Sequence, residues 1–223
     1  MSRYFSRAML LSGPRTADLL RTLAERGEAY RDHALVWRLF PGHDGPRDFL
    51  FRADTAAGGR MVYYVVSSRE PQPEPGLFDI QTKPYCPRLS AGQVLRFDLR
   101  ANPTVSRRVG EGRSRRHDVL MDAKRSAVLS GAGTDSGPFD VATRWLMERA
   151  QGWGLDVSAG ELSQSGYRQH RLRRKGGVIE YSSLDYQGIA RVLDAQRLQR
   201  VLFEGVGHAK GFGCGLLLVK RFL

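Results

Sequence analysis

Tyr30 and His33 are the residues whose types and spacing best suit acid–base chemistry. They lie three residues apart in the segment Tyr-Arg-Asp-His, and one helical turn would bring both side chains to the same face. An imidazole titrates near neutrality and can take or give a proton, while a tyrosine hydroxyl can position a group or donate to it. A lone histidine beside a helix is more often a surface residue or a structurally satisfied one, so the spacing does not by itself give His33 a catalytic role.

The other residues capable of chemistry show no comparable pattern. Acidic residues such as Asp118 and Asp122 lack the grouping of a two-metal nuclease, and the two cysteines lie far apart without zinc-ligand spacing. Three further histidines have no evident chemical partner: His43, His117 and His208. We therefore expect neither a metal site nor a cofactor.

A glycine-rich segment surrounds Lys210 near the end of the sequence. Its glycines are Gly205, Gly207, Gly211, Gly213 and Gly215. The segment lies between a predicted helix and a predicted strand, which is the reverse of the order in a dinucleotide-binding fingerprint, and it lacks Walker spacing. Glycines at this density let a backbone approach a phosphate closely, and Lys210 could neutralise that phosphate. The alternative is a flexible connector.

A dense run of positive charge lies between Tyr167 and Tyr186, where two predicted strands meet at Gly176–Gly177 as in a hairpin turn. The cations on the first strand and the turn are Arg168, His170, Arg171, Arg173, Arg174 and Lys175. Like charges packed so closely repel one another, and a nucleic-acid backbone would supply the missing counter-charge. A β-ribbon can also enter a groove, where arginines pair with guanine. The alternative is an edge hairpin that its charge protects from aggregation.

The chain as a whole is strongly basic, with 35 Lys and Arg against 23 Asp and Glu and a formal net charge of +12 over 223 residues. This excess favours a polyanionic partner, although an arginine-rich genome would also raise it. A second basic stretch between residues 107 and 125 adds four candidate RNA-binding residues: Arg113, Arg115, Arg116 and Lys124. Cleavage of RNA by its own 2′-hydroxyl needs a base and an acid, and His33 could serve as either.

The hydrophobic periodicity predicts an α+β fold of two tandem ferredoxin-like, RRM-like domains, at residues 1–90 and 91–223. The predicted strands are 4–11, 48–54, 61–67 and 78–82 in the first half and 93–99, 166–174, 178–186 and 213–222 in the second. The predicted helices are 16–26 and about 33–39, then 139–151 and 189–203. Residues 1–11 lack the apolar core of a signal peptide and no apolar run approaches membrane length. We therefore expect a cytoplasmic protein without a membrane segment.

Several segments together resemble a known family. They are Ser6-Arg-Ala-Met-Leu-Leu11, Phe97-Asp-Leu-Arg-Ala-Asn-Pro103, Asp118-Val-Leu-Met-Asp-Ala-Lys-Arg125, the Arg-Arg-Lys-Gly hairpin, and the glycine-rich segment running into Leu-Leu. Over nearly the whole chain they resemble the CasE family, the repeat-processing endoribonucleases of the type I-E Cascade complex. The glycine-rich segment alone indicates only the wider RAMP superfamily, whose members share ferredoxin-like domains.

The resemblance implies an activity and its site. It implies recognition of a CRISPR repeat stem-loop and metal-independent cleavage at the base of the stem. The functional histidine of the family matches His33, with Tyr30 in the same short segment, and Arg38 lies where a basic residue could meet the scissile phosphate. Ala34 departs from the pattern, because some relatives are basic there, so any phosphate contact at that point must come from elsewhere.

The resemblance also assigns the basic elements and the partners. Arg171 through Lys175 correspond to the groove-reading hairpin, and Lys210 matches the loop lysine. Attack by the 2′-hydroxyl would leave a 2′,3′-cyclic phosphate and a 5′-hydroxyl. The resemblance further implies that the protein, a monomer when free, keeps its product and joins other Cascade subunits.

Two other functions remain open from the sequence. A non-catalytic RAMP-type subunit would bind RNA without cutting it, but no segment matches the aromatic signature of an RNA-stacking RRM. A DNA-binding regulator would need a helix-turn-helix or zinc-finger pattern, and neither is present. Incubation of a labelled repeat hairpin with the protein in EDTA separates cutting from binding.

Overall fold

The computed structural model describes residues 2–25, 27–42, 45–108, 112–130, 138–174 and 177–222. The chain divides into two compact units. Unit 1 comprises Met1–Arg88, His170–Glu180 and Leu202–Leu216, and unit 2 comprises Leu89–Gln169, Tyr181–Val201 and Leu217–Leu223. The predicted boundary near residue 90 stays a prediction. The first segment of unit 1 ends at Arg88, close to this boundary. Unit 1 also includes the two later segments, His170–Glu180 and Leu202–Leu216.

The sheet of unit 1 has four strands, and two helices lie between the first strand and the second. They are β1 (Tyr4–Leu10), α1 (Pro14–Ala24), α2 (Glu28–Trp37), β2 (Phe49–Thr55), β3 (Met61–Ser67) and β4 (Phe78–Pro84). The strand order is β2-β3-β1-β4, with antiparallel neighbours. This is the ferredoxin-like strand order, but the connection from β3 to β4 lacks the helix that the plan has there. Prolines in that connection remove backbone donors and prevent a regular helix: Pro71, Pro73 and Pro75.

The core of unit 1 lies between this sheet and its helices. Fully buried aromatic side chains from the sheet, Phe51 and Tyr63, belong to the same cluster as Leu35 and Leu39 of the α2 region. Each such side chain contributes roughly 1.5–3 kcal/mol on burial. Leu35 and Leu39 are one turn apart and hold one face of α2 against the core. His33 lies about 200° around the helix from Leu35, so α2 directs it away from that core.

The start of α2 differs from the sequence prediction. The helix was predicted from about residue 33 but begins at Glu28, directly after Gly27, whose φ is +89°. An acidic residue in the first turn is favourable beside the positive end of the helix dipole. The correction matters for the site, because Tyr30 and His33 now both lie inside one regular helix.

The second sheet contains the remaining long strands. They are β5 (Val94–Ala101), β8 (Leu155–Arg174), β9 (Gly177–Val192) and β10 (Leu217–Arg221), in the order β10-β5-β9-β8. The connecting elements are a short hairpin of β6 (Thr104–Arg108) and β7 (Ser114–Asp118), then α3 (Val119–Ser130), α4 (Pro138–Ala150) and α5 (Ala195–Glu204). The strand order again matches the ferredoxin-like plan, so the predicted fold class is confirmed.

Three predictions in this half were wrong in extent. Residues 189–192 were predicted as helix but extend β9, because Ile189 and Ala190 pair with Arg96 and Leu95 of β5 and sheet pairing overrides local propensity. The strand predicted from 166 begins at Leu155, and the strand predicted from 213 begins at Leu217. The β6–β7 hairpin and α3 were not predicted. Within the described ranges no helix is both long and apolar enough to cross a bilayer.

Candidate active site and nucleic-acid interface

The imidazole of His33 is held at both of its nitrogens. Its Nδ1 lies 2.8 Å from the carbonyl oxygen of Gly211, and the indole Nε1 of Trp37 donates to its Nε2 at 3.1 Å. A carbonyl can only accept a hydrogen bond and an indole N–H can only donate one. His33 is therefore the neutral tautomer with its hydrogen on Nδ1. Its Nε2 carries the lone pair and is the atom that can exchange a proton with a substrate.

The surroundings of His33 favour this neutral state. Burial lowers the pKa of the imidazole, the hydrogen bond to Gly211 partly opposes that effect, and the positive charge of Arg47 lowers the pKa further. A neutral imidazole at physiological pH is ready to accept a proton. The chemistry available at this atom is therefore general base catalysis, with the imidazolium then able to act as an acid.

We expect the substitution Trp37→Phe to raise the pKa of His33. The indole N–H bonds only the neutral imidazole, because protonated Nε2 has no lone pair to accept it, so removal of this bond favours the protonated form. Activity that needs neutral His33 should then fall off at a higher pH on the acid side. NMR titration of the His33 ring measures the shift, with Trp153→Phe as the control. An unchanged or lowered pKa in Trp37→Phe would contradict the tautomer given above.

Glycines fold the segment that carries the Gly211 carbonyl. The backbone N–H of Val206 donates to the carbonyl of Gly215 at 2.9 Å and closes the base of the loop. Gly215 has a φ of +87°, and a Cβ added there would lie 2.3 Å from the Val206 carbonyl oxygen. The loop tip is a short 3₁₀ turn, Lys210–Phe212, and the Phe212 ring lies 5.8 Å from that of His33. The predicted glycine-rich segment is thus a loop with a defined backbone conformation rather than a flexible connector.

Gly215 and Gly207 form a matched pair for testing this loop. Both have positive φ, but a Cβ at Gly207 would meet nothing within 4 Å. We expect Gly207→Ala to lower the free energy of unfolding by about 1 kcal/mol, the cost of the left-handed backbone. Gly215→Ala should cost about 3 kcal/mol, since the carbonyl contact adds to that strain. Urea unfolding measures both, and equal losses would show that the close approach at Gly215 has no energetic weight.

Two cations contact the backbone of this loop or of the residues just before it. Lys210 Nζ donates to the carbonyl oxygen of Glu204 at 2.8 Å, and Arg47 Nη1 donates to the carbonyl oxygen of Lys210 at 2.6 Å. Burial lowers the pKa of both side chains. Within the part of the chain that the structure describes, neither lies within 4 Å of a carboxylate oxygen. A half-buried cationic pair of this kind is suited to an anion.

The structure places the other predicted residues of this site differently. Tyr30 is half-buried in α2, one turn before His33, as the spacing predicted. The guanidinium of Arg38 is paired with Glu74, at 2.7 Å between Nη1 and Oε1. Arg38 follows His33 by five residues, which places it about 140° around the helix axis from His33. A contact between Arg38 and a scissile phosphate stays a prediction, and it would have to compete with Glu74.

A buried network next to His33 was not foreseen. The hydroxyl of Tyr63 donates to Asp32 Oδ1 at 3.0 Å, and Arg31 donates to the same oxygen through Nε and Nη2, each at 3.1 Å. Burial raises the pKa of Asp32, and the positive charge of Arg31 opposes the rise. These bonds tie α2 to β3 of the sheet and fix the helix position that carries His33. They join segments that are distant in sequence, so no local pattern signals them.

The turn end of the basic hairpin lies close to the same helix. Leu172 of β8 is buried, and a Cβ added at Gly27, just before α2, would lie 3.4 Å from its side chain. Arg168 and Arg171 are exposed, and Arg171 is paired with Glu180 of β9 at 3.3 Å. Glu180 thus supplies one counter-charge from the opposite strand of the hairpin. Arg173 and Arg174 end β8, and Lys175 lies outside the described residues.

The second basic stretch forms the β6–β7 hairpin and the helix after it. Arg107 and Arg115 face each other directly across the hairpin, and Arg107 is paired with Asp122 of α3. The predicted RNA-binding residues in this region are all exposed: Arg113, Arg115, Arg116 and Lys124. Like charges opposite one another are destabilising in a hairpin unless a counter-ion binds, so this surface also suits a polyanion.

Metal ligands are not gathered in the described ranges: no three His, Cys, Asp or Glu side chains lie together there as a metal site would need. The candidate site instead consists of one histidine, a tyrosine on the same helix, two half-buried cations and a glycine-rich loop. This set can exchange a proton and hold an anion.

Comparison with known proteins bears on what this site does. A family model described as "CRISPR associated protein" matches residues 4–221. The Cascade subunit CasE of Escherichia coli K12 is 27% identical over 192 residues, covering 85% of this chain and 90% of that protein. The CRISPR-associated endoribonuclease Cse3 of Thermus thermophilus is 29% identical over 147 residues, covering 61% of this chain and 60% of that protein.

Solved structures show the same fold. Thermus thermophilus Cse3, bound to an RNA representing a pre-cleavage complex, matches with a TM-score of 0.73 at 22% identity, over 99% of this chain and 100% of that one. Cas6e from Escherichia coli K-12 matches with a TM-score of 0.65 at 21% identity, over 98% and 100%. The resemblance to CasE drawn from the sequence motifs is confirmed, and the chain belongs to this family of CRISPR-associated proteins.

Proposed function

We propose that this protein is an endoribonuclease that cuts CRISPR precursor RNA at the base of the repeat stem-loop and needs no metal ion to do so. The observation that carries the proposal is the neutral His33, whose Nε2 carries the lone pair beside two cations that have no carboxylate oxygen within 4 Å in the described residues. The relatives named as endoribonuclease and Cascade subunit support the choice of substrate.

The reaction begins with attack by the 2′-hydroxyl on the adjacent phosphorus. His33 Nε2 takes the proton from the 2′-oxygen, the bond from that oxygen to phosphorus forms, and the bond from phosphorus to the 5′-oxygen breaks. The leaving 5′-oxygen takes a proton from water and the imidazolium of His33 returns its proton to solvent, so the products are a 2′,3′-cyclic phosphate and a 5′-hydroxyl. Tyr30 positions the reacting groups, and Lys210 balances the charge that develops on the phosphate oxygens.

His33 can reach the substrate only if Nε2 gives up its bond to Trp37. The indole N–H and a 2′-hydroxyl both bind the same lone pair, so an RNA in place must displace the indole or turn the imidazole. The bond from Nδ1 to Gly211 can persist during this change and keeps the ring in the tautomer that accepts a proton at Nε2. In the free protein His33 is thus neutral, and its Nε2 lone pair accepts the hydrogen bond from Trp37.

RNA recognition in this proposal rests on the basic hairpin. A-form RNA has a deep, narrow major groove that most proteins avoid, but a thin β-ribbon at the end of a stem can enter it. Arg168, Arg171, Arg173, Arg174 and Lys175 supply the charge, and the exposed residues of the β6–β7 hairpin and α3 add contacts to phosphates. Because Leu172 packs near Gly27, the turn end of this ribbon lies beside the helix that carries His33.

The proposal extends to partners and location. The protein acts in the cytoplasm, is a monomer when free, holds the cleaved repeat and joins other Cascade subunits through that RNA. Product retention follows from the charge of the hairpin, which makes release slow at physiological salt. No cofactor takes part.

Incubation of the protein with a labelled repeat hairpin in EDTA tests this function. We expect two defined fragments, with one cut at the base of the stem, and equal rates with or without added Mg²⁺. A stable shift of intact RNA would instead indicate a non-catalytic RAMP-type binding subunit, and a cut that appears only with Mg²⁺ would contradict metal independence.

A further inference from the structure

Arg47 is a half-buried arginine near His33 that the sequence analysis did not select. It lies just before β2, and its Nη1 donates to the carbonyl oxygen of Lys210 at 2.6 Å. His33 bonds the carbonyl oxygen of the next residue, Gly211, at 2.8 Å. The guanidinium and the imidazole therefore hold consecutive carbonyls of one loop, and both belong to unit 1.

Arg47 lacks the carboxylate pairing that several other partly or fully buried arginines of unit 1 have in the described residues. Four of them bond carboxylates within 3.2 Å: Arg31 with Asp32, Arg38 with Glu74, Arg52 with Asp54, and Arg69 with Asp48. Arg47 is next to Asp48 in sequence, yet that carboxylate is bound by Arg69 and Ser68. In the described part of the chain no carboxylate oxygen lies within 4 Å of the Arg47 guanidinium.

A guanidinium removed from water without a counter-ion is unfavourable. The face of the Phe49 ring, 5.9 Å from the Arg47 carbon Cζ, and the Lys210 carbonyl compensate only in part. A guanidinium has five N–H donors in a planar fork that matches two phosphate oxygens, and the Lys210 carbonyl engages Nη1 alone. The arrangement is that of a cation preorganised for a phosphate beside a proton acceptor.

We propose that Arg47 is a catalytic residue that contacts the scissile phosphate and balances the negative charge of the pentavalent transition state. The inference rests on the proposed ribonuclease function and assigns to Arg47 the role that the family resemblance gave to Arg38. Arg47 transfers no proton: the 2′-oxygen loses its proton to His33, and Arg47 only stabilises the charge on the non-bridging oxygens. The carboxylate of Glu74 leaves Arg38 less suited to this task.

Single-turnover cleavage by Arg47→Gln tests this role. The substitution keeps a side-chain amide that can bond the Lys210 carbonyl but removes the charge. At saturating protein we expect the cleavage rate to fall about 100-fold, the usual effect of removing one transition-state donor. The affinity for an uncleavable repeat with a 2′-deoxy nucleotide at the cut should change far less. Arg60→Gln, which removes one charge from an exposed position, should cut like the parent.

Arg47→Lys serves to distinguish a loss of charge at this position from a folding defect in Arg47→Gln. It keeps the charge but not the planar fork, so we expect a rate between those of the parent and Arg47→Gln. A parent-like rate in Arg47→Gln, or a loss confined to affinity with an unchanged saturated rate, would overturn the assignment. If either result accompanied an inactive His33→Ala, the proposed function would stand without Arg47. If His33→Ala were also fully active, the proposed function itself would fail.

Discussion

Replacing His33 with Ala is expected to lower the single-turnover cleavage rate of a cognate repeat hairpin by about 1,000-fold, within the range that general acid–base groups supply. The lone pair of this imidazole is directed by two hydrogen bonds, to Gly211 and from Trp37. The substitution removes the neutral base that lies beside the cations. Rapid mixing of excess protein with end-labelled RNA, in buffer containing EDTA, measures the rate.

Affinity and stability controls separate this chemical effect from a structural one. His33→Ala removes the ring that bonds the loop carbonyl, so RNA affinity and urea unfolding should be measured beside the rate. We expect both to change little compared with the rate. His117→Ala, a histidine of β7 in unit 2, should cut like the parent. A His33→Ala protein that cuts as fast as the parent would show that the base lies elsewhere.

The affinity for the repeat hairpin should fall steeply with salt. If about six or more phosphates are bound, affinity should drop about 1,000-fold between roughly 50 and 200 mM salt. The exposed arginines of the β8–β9 hairpin carry much of this effect in our account. Replacing Arg168 and Arg171 together with Gln should flatten the slope of log affinity against log salt by about 2, because each arginine neutralises one phosphate.

A matched charge control makes that prediction specific. Arg21 is as exposed as the hairpin arginines and is paired with Asp18 on α1, so Arg21→Gln should leave the slope unchanged. Arg171 already has Glu180 as a partner, and its pair with RNA must displace that carboxylate. A slope that Arg168→Gln/Arg171→Gln does not alter would place the RNA away from this hairpin and would favour the charged-edge explanation.

Much of this fold could be predicted from the sequence because its signals are local. The Val- and Tyr-rich segment 61–67 predicted β3 at its true bounds. The errors arose where pairing between distant segments decides the outcome. Ile189 and Ala190 continue β9 because β5 lies beside them, and no local pattern reveals that neighbour.

The candidate site, too, has residues that local patterns reveal and residues that only contacts between distant segments bring together. Tyr30 and His33 could be selected from three-residue spacing and a family motif, and the glycine-rich loop from its composition. Arg38 was selected from the family resemblance, as a basic residue just past His33. Arg47 instead reaches the glycine-rich loop from before β2 through a bond to Lys210. Sequence separation hides such a contact. The same holds for Asp32 and Tyr63, which fix α2 across 31 residues.

The chemical ends of the cleaved RNA test most directly the claim that the 2′-hydroxyl attacks with His33 as its base. The parent protein should be incubated with the repeat hairpin in EDTA and the fragments analysed by mass spectrometry. We predict a 2′,3′-cyclic phosphate on the upstream fragment and a 5′-hydroxyl on the downstream one, and no cut when the nucleotide before the scissile phosphate is 2′-deoxy. Cleavage of the 2′-deoxy substrate, or fragments with a 3′-hydroxyl and a 5′-phosphate, would contradict this mechanism.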